Sequence, residues 1–334
     1  MKLVEFVHRD PGAELLVVTN MWPEPQRPVY GIFVRRQVES LRAAGLRCDV
    51  LYLRGWASPR AYLSGALRLA LGSVTWRGRY RLVHAHAAES GFAARCHIGT
   101  PVLVSYVGDD VLGDRDARGM LTADARLRTR FVRRHSQLFT ATITKSRVME
   151  QALPARTRRK NHVVPNGVDR ELFSPRPKEK ARAELGWGDE PVALFAATKP
   201  YGPAKRLGLA QAACDAAGVR LHVAADVDPS TMPILMSASD CLIVTSAVEG
   251  SPNTVKEALT CNLPVIATAV GDIPERLAGV EPSWLCIPTE EAFSEALQVC
   301  MASSRRSNGR AAAADLDERK VAKRLLEIYD EVAP

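Results

Sequence analysis

The stretch TSAVEGSPNTVKEALTCNLPVIATAVGDIPE, residues 245–275, decides the fold of this chain. It reads as a strand end, a loop with Glu249 and Gly250, a helix and a second apolar strand, which is the repeating unit of a parallel sheet covered by helices. Ser251 and Pro252 predict an N-cap and a proline at the first helical position, so the helix is expected to begin at Pro252. Its first turn would point backbone N–H donors into a cleft at the carboxyl end of the sheet, where a phosphate is favoured.

Two acidic side chains lie on either side of this predicted anion site. Glu249 precedes the helix, Glu257 follows about one and a half turns into it, and the N–H groups around Asn253 and Thr254 fall between them. Carboxylates are hydrogen-bond acceptors that suit the hydroxyl groups of a sugar. The stretch therefore predicts a site for a molecule with both phosphate and sugar.

Outward from this stretch, apolar runs alternate with segments of helical period along the rest of the chain. Predicted strands lie near residues 14–19, 48–53, 81–86, 101–105, 139–143 and 162–164, and then near 191–197, 219–224, 240–244, 264–268 and 284–287. This pattern predicts an α/β protein with two doubly wound sheets. The proline- and glycine-rich segment 164–180 is the predicted linker between them.

Composition sets broad limits on the class of protein. The chain has 334 residues, of which 46% are hydrophobic, enough for two domains. No run approaches the roughly 20 apolar residues that cross a bilayer, and Glu5, Arg9 and Asp10 interrupt the start where a secretory signal would be apolar. Seven widely spaced cysteines are expected to be reduced thiols, so the predicted location is the cytoplasm.

The basic charge is confined to one half of the chain. Residues 1–172 carry 28 Lys and Arg against 15 Asp and Glu, a net charge of +13, whereas residues 173–334 have a net charge of −5. Anionic lipid or a phosphorylated acceptor would suit this charge. Nucleic acid is not expected as a partner, because the sequence contains no recognised nucleic-acid-binding module. The predicted helix at 121–136 places Leu121, Ala125, Leu127, Phe131 and Val132 near one stripe among arginines, so it is either an interfacial helix at the inner face of a membrane or a solvated helix face.

The segment EGSPNTVKEA, with Glu249 and Glu257, resembles the E-x7-E motif of retaining glycosyltransferases of family 4, which have the GT-B fold. Residues 20–45 are similar to the family's first loop and helix, and residues 82–94 to its His-containing strand end. Residues 105–113 are similar to its His-Gly-x-Asp segment, residues 163–175 to its interdomain segment and residues 194–213 to its diphosphate segment. The resemblance implies two Rossmann-like domains around a nucleotide-sugar. Residues 1–170, joined by the returning helix 316–334, would be the acceptor domain, and residues 171–315 the nucleotide-sugar domain.

The resemblance also implies roles for individual residues. Glu257 would hold the ribose hydroxyls, Glu249 would contact the donor sugar, and Lys205 would lie on the diphosphate. The implied donor-binding set is completed by Gly31, Lys199, Arg206, Gly250, Ser251, Pro252, Asn253 and Thr254. Without a metal ion, the negative charge that grows on the leaving diphosphate needs preorganised cations and N–H donors, and Lys205 beside a helix start supplies both. Asp226 and Asp228 have the spacing of a metal motif, but Pro229 follows at once and a turn fits better.

Four positions depart from the family pattern. Lys199 stands in place of the usual arginine, Arg206 occupies a glycine position, and Gly31 is a single glycine where many relatives have two. Val107 stands where many relatives place a histidine close to the donor sugar, so this chain lacks that histidine.

Three polar residues at predicted strand ends remain as candidates for acceptor chemistry. His84 and His86 share one face of their strand, with His86 directed to the ligand or serving the structure. Asp110 would orient or deprotonate an acceptor hydroxyl, or else cap the turn that follows it.

The resulting hypothesis is a metal-independent hexosyltransferase without a cofactor. It would move a sugar from a nucleoside diphosphate donor to a hydroxyl of a glycan, glycolipid or small molecule, with retention at the anomeric carbon. Two alternatives stay open, a nucleotide-sugar epimerase of the same fold and a non-catalytic nucleotide-sugar-binding protein, the latter because of Val107. A nicotinamide dehydrogenase is not expected, because no Gly-x-Gly-x-x-Gly follows the first strand.

Overall fold

Two β-sheets, each packed against its own hydrophobic residues, organise the described part of the chain. The computed structural model describes residues 2–116, 118–198 and 200–334. Unit 1 contains the described residues up to Gly113 together with Ala123–Gly167 and Glu318–Pro334, and unit 2 contains Asp114–Thr122 and Val168–Asp317.

Unit 1 is a seven-stranded sheet with helices on its faces. Its strands and first helices are β1 Val4–His8, β2 Leu15–Thr19, α1 Ile32–Ala43, β3 Cys48–Leu53, α2 Arg60–Thr75, β4 Leu82–His86, α3 Ala88–Ala94, β5 Val102–Ser105, α4 Asp109–Leu112, α5 Ala123–His135, β6 Ala141–Thr144, α6 Arg147–Gln151, α7 Ala155–Arg158 and β7 Asn161–Val163. The strand order is β1-β3-β2-β4-β5-β6-β7, in which only β1 is antiparallel to its neighbour. The strands β2 to β6 are buried along their whole length, which is why they appear as continuous apolar runs.

Unit 2 is a five-stranded parallel sheet. Its elements are α8 Lys178–Leu185, β8 Val192–Ala196, α9 Leu207–Ala217, β9 Arg220–Ala224, α10 Met232–Ala238, β10 Cys241–Val244, α11 Asn253–Thr260, β11 Val265–Thr268, α12 Ile273–Leu277, β12 Trp284–Cys286, α13 Glu290–Ser303 and α14 Gly309–Ala312. The strand order is β12-β11-β10-β8-β9, so the chain reverses its direction across the sheet between β8 and β10. This pattern is the doubly wound topology that the sequence predicts.

The last helix, α15 Glu318–Val332, belongs to unit 1. Its apolar stripe, which includes Val321, Leu325 and Ile328, is buried in the same core as β2 and β4. Tyr329 of the same helix is also fully buried, and its hydroxyl group hydrogen bonds to the buried His84 of β4. The amphipathic period of the final segment therefore predicted its buried face correctly.

Three expectations need correction. Strand β1 was not predicted, because an antiparallel edge strand is only half-buried and has no continuous apolar run. Residues 114–122, predicted within the first domain, cluster with unit 2, where a bridge between Arg115 and Leu121 closes the segment on itself. The predicted stripe of helix α5 is divided, since Ala125 and Val132 are buried whereas Leu127 is exposed.

Candidate functional site

The loops that follow β8 and β10 lie at the reversal point of the unit 2 sheet. These two strands are neighbours in the sheet but not consecutive in the chain. In open parallel sheets this reversal point, at the carboxyl ends of the strands, leaves a crevice in which ligands bind. The predicted residues Lys205 and Glu249 lie in these two loops.

The turn that carries Lys205 is fixed to the end of β10. Lys205 ends a short 3-10 helix, Pro203–Lys205. The hydroxyl of Thr245 donates to the backbone carbonyls of Lys205 and Arg206, at 2.9 and 3.0 Å. The backbone N–H of Ala247 donates to the carbonyl of Ala204 at 2.7 Å. The two loops therefore form one hydrogen-bonded unit, which presents Lys205 from a defined position.

Lys205 and Glu249 form an ion pair between these loops. The ammonium Nζ donates to the carboxylate Oε1 of Glu249 at 2.6 Å. The Glu249 side chain is 13% exposed and that of Lys205 33% exposed, so the pair lies at a partly open surface. A cation held by a carboxylate, with donors left for a further anion, is suited to bind a phosphate group.

Another predicted cation, Arg206, follows Lys205 directly at the end of this turn. Arg206 has left-handed backbone, with a φ of 51°, and its guanidinium group lies beside Gly119 of the segment 114–122. Lys199, predicted as a second cation on the diphosphate, lies outside the described residues. The structure therefore places Lys205 and Arg206, two consecutive cations, at the start of α9.

The Glu249 loop rests on Gly271, which has a φ of +60°. A Cβ atom at this position would lie 2.7 Å from the carbonyl oxygen of Glu249 and 2.9 Å from that of Gly250. Only glycine permits both this backbone conformation and this close approach. The sequence Val-Gly-Asp at the end of the deciding stretch thus sets the position of Glu249.

Gly271→Ala is expected to move the Glu249 loop and to lower both stability and the predicted sugar transfer. The left-handed backbone alone costs an alanine about 1–2 kcal/mol, and the overlap with two carbonyl oxygens adds to this cost. Gly186→Ala is the matched control, because Gly186 has a similar φ of +67° with nothing within 4 Å of the added Cβ. Urea unfolding of both variants should show the larger loss for Gly271→Ala, and equal losses would mean that the loop yields to the methyl group.

The helix after this loop begins one residue later than predicted. It starts at Asn253, and Pro252 takes the N-cap position with extended backbone. The hydroxyl of Ser251, predicted as the N-cap, instead donates to the Oδ2 of Asp272 at 2.8 Å. It also accepts a hydrogen bond from Lys256 Nζ at 3.2 Å, so a buried ionic cluster replaces the expected cap.

Lys256 and Asp272 are the residues that sequence reasoning missed. Each is 1% exposed, and Asp272 also accepts from Nε of Arg276 at 3.1 Å. Burial lowers the pKa of Lys256 to about 8, although the Asp272 carboxylate acts in the opposite direction. Within the described part of the chain, Oδ1 of Asp272 has no hydrogen-bond partner. The position of Lys256 beside the apolar residues Val255 and Ala258 was the one signal in the sequence that could have indicated its burial.

The two motif glutamates are presented by different elements. Glu249 lies in the loop, whereas Glu257 is a half-buried residue of α11. Pro252, Asn253 and Thr254 lie between them, all partly exposed, at the helix start. The arrangement keeps a helix N-terminus and two carboxylates in the same strand–loop–helix segment, as the sequence predicts.

Gly31 has a structural reason to be glycine. It precedes α1 with a φ of 76°, and a Cβ atom would lie 2.4 Å from the carbonyl carbon of Met21 and 2.6 Å from the nitrogen of Trp22. The loop after β2 therefore closes tightly on the start of α1. Contact of Gly31 with a phosphate stays a prediction.

His84 and His86 lie side by side inside unit 1. Their ring centroids are 4.4 Å apart, as the shared strand face predicts, but both side chains are fully buried. His84 hydrogen bonds to the hydroxyls of Tyr329 and Ser105 at 2.7 and 2.8 Å. Burial lowers the pKa of His84 to about 3 and that of His86 well below its ordinary value, so both rings are neutral at pH 7. Burial of His86 fits the structural interpretation and not direct contact with ligand.

Asp110 ties two strand-end loops together. Its carboxylate accepts hydrogen bonds from the backbone N–H groups of Ala88, Val107 and Gly108, at 3.1–3.3 Å. Burial raises the pKa of Asp110, and the nearby Asp109 acts in the same direction, whereas the N–H donors oppose the rise. These contacts match the capping interpretation and leave Asp110 2% exposed, which does not fit a general base that meets the acceptor.

The described residues contain neither a cluster of metal ligands nor a membrane-spanning helix. No group of three or more His, Cys, Asp or Glu side chains there is arranged to hold a metal ion. Asp228 accepts from the backbone N–H of Ser230 at 2.8 Å, so a turn begins at Asp228 where Pro229 predicts one. No helix among these residues has the length and apolar character needed to cross a membrane.

Comparison with known proteins finds two glycosyltransferase profiles along the chain. The family profile described as Glycosyl transferase 4-like domain matches residues 8–167, and that described as Glycosyl transferases group 1 matches residues 198–303. D-inositol 3-phosphate glycosyltransferase of Segniliparus rotundus is 27% identical over 262 residues, which cover 65% of this chain and 57% of that protein. The match thus spans little more than half the length of that relative.

Solved structures with a similar fold cover nearly the whole chain. Sucrose-phosphate synthase from Thermosynechococcus elongatus has a TM-score of 0.77 at 19% identity, covering 95% of this chain and 98% of that chain. The Anabaena protein HepE, described in complex with UDP and glucose, has a TM-score of 0.70 at 15% identity, covering 95% and 100%. At such low identity these similarities establish the fold alone.

Proposed function

This chain belongs to the glycosyltransferases of family 4 with the GT-B fold, and from that premise we propose that it transfers a hexosyl group from a nucleoside diphosphate sugar to an acceptor hydroxyl with retention. The ion pair between Lys205 and Glu249, with its N–O distance of 2.6 Å at the reversal point of the unit 2 sheet, carries the proposal. The UDP and glucose named for HepE add support for a nucleotide-sugar donor.

Lys205 supplies the charge that the departing diphosphate requires. As the bond between the anomeric carbon and the phosphate oxygen breaks, negative charge grows on that oxygen, and a positioned ammonium stabilises it. The acceptor oxygen bonds to the anomeric carbon on the same face, and its proton passes to the departing phosphate. We propose that this step needs no metal ion and no cofactor.

Glu249 has two duties in this proposal. Its carboxylate orients the Lys205 ammonium, and its remaining lone pairs accept hydrogen bonds from hydroxyls of the transferred sugar. The start of α11 and Arg206 contribute donors to the phosphates, whereas Glu257 holds the ribose. The contact of Gly271 with the Glu249 loop preserves this geometry.

The acceptor is proposed to be anionic. The net charge of +13 on residues 1–172 favours a phosphorylated or lipid-linked hydroxyl compound, and the inositol 3-phosphate in the name of the Segniliparus relative is such a compound. The buried Asp110 would shape the acceptor loop through its three backbone contacts, without reaching the acceptor itself.

A thermal-shift screen of nucleoside diphosphate sugars tests the donor proposal. A ligand that binds only the folded state adds about 2.7 kcal/mol at 100 times its dissociation constant. At least one hexose donor should raise the melting temperature, and its bare diphosphate should raise it by a smaller amount. No shift with any uridine, adenosine, guanosine or thymidine diphosphate hexose would contradict the proposal.

Glu257→Ala is expected to weaken binding of the bare nucleoside diphosphate, whereas Glu249→Ala is expected to spare it and lower turnover. The reason is that Glu257 is assigned to the ribose and Glu249 to the transferred sugar and to Lys205. Calorimetry with the diphosphate identified in the screen separates the two variants, and a turnover assay completes the comparison. Equal loss of affinity in both variants would mean that the motif serves the structure.

A further inference from the structure

Helix α2 of unit 1 presents an exposed apolar stripe to solvent. Leu63, Leu67, Leu71 and Val74 are 65%, 60%, 70% and 79% exposed. Their spacing of four, four and three residues places them on one face of the helix. Large aliphatic side chains on a helix face normally lie in a core, so a contiguous stripe in water indicates a contact surface.

The opposite face of α2 packs the helix onto the unit 1 sheet. Ala61, Gly65, Leu69 and Gly72 are buried, and a Cβ on Gly65 would lie 2.6 Å from a methyl group of Leu53. The packing is therefore complete without the leucine stripe. The stripe continues to Ile98, 76% exposed, because the backbone N–H of Ile98 donates to the hydroxyl of Ser73 on α2 at 2.7 Å.

The segment of the chain that contains α2 carries charges of one sign. Residues 50–88 contain six arginines and no acidic residue. Arg60 and Arg77, at the two ends of the helix, are exposed, and among the described residues their guanidinium groups have no hydrogen bond or ion pair. The next acidic residue along the chain, Glu89, has its carboxylate 4.0 Å from Arg128.

From this combination we propose that α2 docks unit 1 on an anionic lipid surface. Leucines on the outer face would enter the boundary between headgroups and acyl chains, while Arg60 and Arg77 would meet the lipid phosphates. An apolar protein partner would not need exposed arginines at both ends of the stripe, in a segment without acidic residues, which is why an anionic membrane is the occupant that the charges favour. The proposal is independent of the sugar chemistry of unit 2.

Helix α5, the surface expected from the sequence, offers less apolar area for this purpose. Leu127 is 72% exposed, but Phe131 packs against Phe92 with ring centroids 5.4 Å apart. Arg133 donates to the carbonyl of Val111, and so part of the basic character of α5 serves internal contacts. The α2 stripe is therefore the primary docking surface.

The test is vesicle sedimentation without nucleotide, with vesicles of phosphatidylcholine alone or with phosphatidylglycerol added to 30 mol%. The unsubstituted chain should sediment only with the anionic vesicles, and less at 0.5 M than at 0.1 M NaCl. Leu67→Ser with Leu71→Ser should weaken binding at least about tenfold, because buried aliphatic area dominates interfacial affinity. Arg60→Glu with Arg77→Glu should weaken it at low salt.

Two further variants make the test specific to α2. Ile287→Ser with Val299→Ser removes apolar residues of similar exposure from unit 2, 68% and 56%, and should bind as the unsubstituted chain does. Leu127→Ser examines α5. Loss in the α5 variant without loss in the α2 variant would overturn the proposal, as would equal loss in the unit 2 control.

Size-exclusion chromatography tests whether a second copy of this chain occupies the α2 stripe instead of a membrane. One contrary result is a concentration-dependent dimer of the unsubstituted chain that is lost in the Leu67→Ser, Leu71→Ser variant, together with no vesicle binding. That result would assign the stripe to a second copy of this chain and overturn the membrane proposal. Unfolding by urea shows that each variant is folded, since exposed leucines contribute little to stability. A folded chain that ignores anionic vesicles at 0.1 M NaCl would also overturn it.

Discussion

Lys205→Ala is expected to lower kcat for sugar transfer by about 10²-fold or more, the cost of removing one preorganised donor from a developing charge. The ammonium of Lys205 is held by Glu249 at 2.6 Å, and its turn is fixed by the hydroxyl of Thr245. It is therefore in position before the bond to the diphosphate breaks. An interaction that strengthens as charge develops raises kcat more than it tightens donor binding.

The matched control is Lys178→Ala. Lys178 has a side chain 35% exposed and an ion pair with Asp240 in the same unit, so it resembles Lys205 in exposure and pairing but lies in α8. Its variant should keep the unsubstituted kcat. Lys205→Arg should retain part of the activity, because the charge is kept while the geometry changes. A loss confined to KM in Lys205→Ala would contradict the proposed role.

EDTA gives an independent test of the same step. With Lys205 as the cation for the leaving group, activity should persist after dialysis against EDTA, and added Mg²⁺ should not rescue Lys205→Ala. An absolute requirement for Mg²⁺ or Mn²⁺ would mean that a metal ion neutralises the charge on the diphosphate and that Lys205 contributes less to this step.

The sequence predicted the strands of both sheets because parallel strands buried on two faces leave continuous apolar runs. Residues 240–244 and 264–268 are examples, with observed strands Cys241–Val244 and Val265–Thr268. The same reasoning overlooked Val4–His8, whose side chains are half-buried at an antiparallel edge. It also misplaced residues 114–122, because the domain to which a polar loop attaches depends on tertiary contacts and not on local pattern.

The candidate site was predicted in part, for a similar reason. A loop after a buried strand is visible in the sequence and places Glu249 at a sheet edge, whereas the place of Lys205 on the diphosphate was implied by the family resemblance. The hydroxyl of Ser251 was expected to cap a helix, and its use by Asp272 depends on the docking of α12, 21 residues further along the chain. Likewise, two histidines of one strand share a face, but the sequence does not show that both are buried, or that His84 hydrogen bonds to Tyr329 of the last helix.

Lys256→Met is expected to change how stability depends on pH. The pKa of Lys256 is about 8 in the folded chain, against 10.5 for an unburied lysine. Below pH 8 both folded and unfolded states hold the proton, and the folded state carries the cost of a buried charge. Between pH 8 and 10.5 the unfolded state binds more protons, so the stability contribution of Lys256 rises with pH by about 3 kcal/mol.

The variant lacks this titration, and its free energy of unfolding should therefore exceed that of the unsubstituted chain most clearly at pH 7. The difference should shrink as the pH rises from 8 to 10, measured by urea unfolding at each pH. Lys180→Met, which removes an exposed lysine of α8, controls for the loss of one positive charge.

If Lys256→Met raises stability at pH 7 and lowers sugar transfer, the buried lysine serves activity at a cost in stability. Lys256 donates to Ser251 beneath the Glu249 loop, and Ser251 donates to the buried Asp272. Removing the ammonium relieves the cost of burial but leaves this cluster with one cation fewer, so the loop should lose its fixed position. Proteins commonly retain such destabilising groups where activity depends on them. A difference that stays constant from pH 7 to 10 would contradict the assigned burial cost, and unchanged transfer would separate Lys256 from the function of the loop.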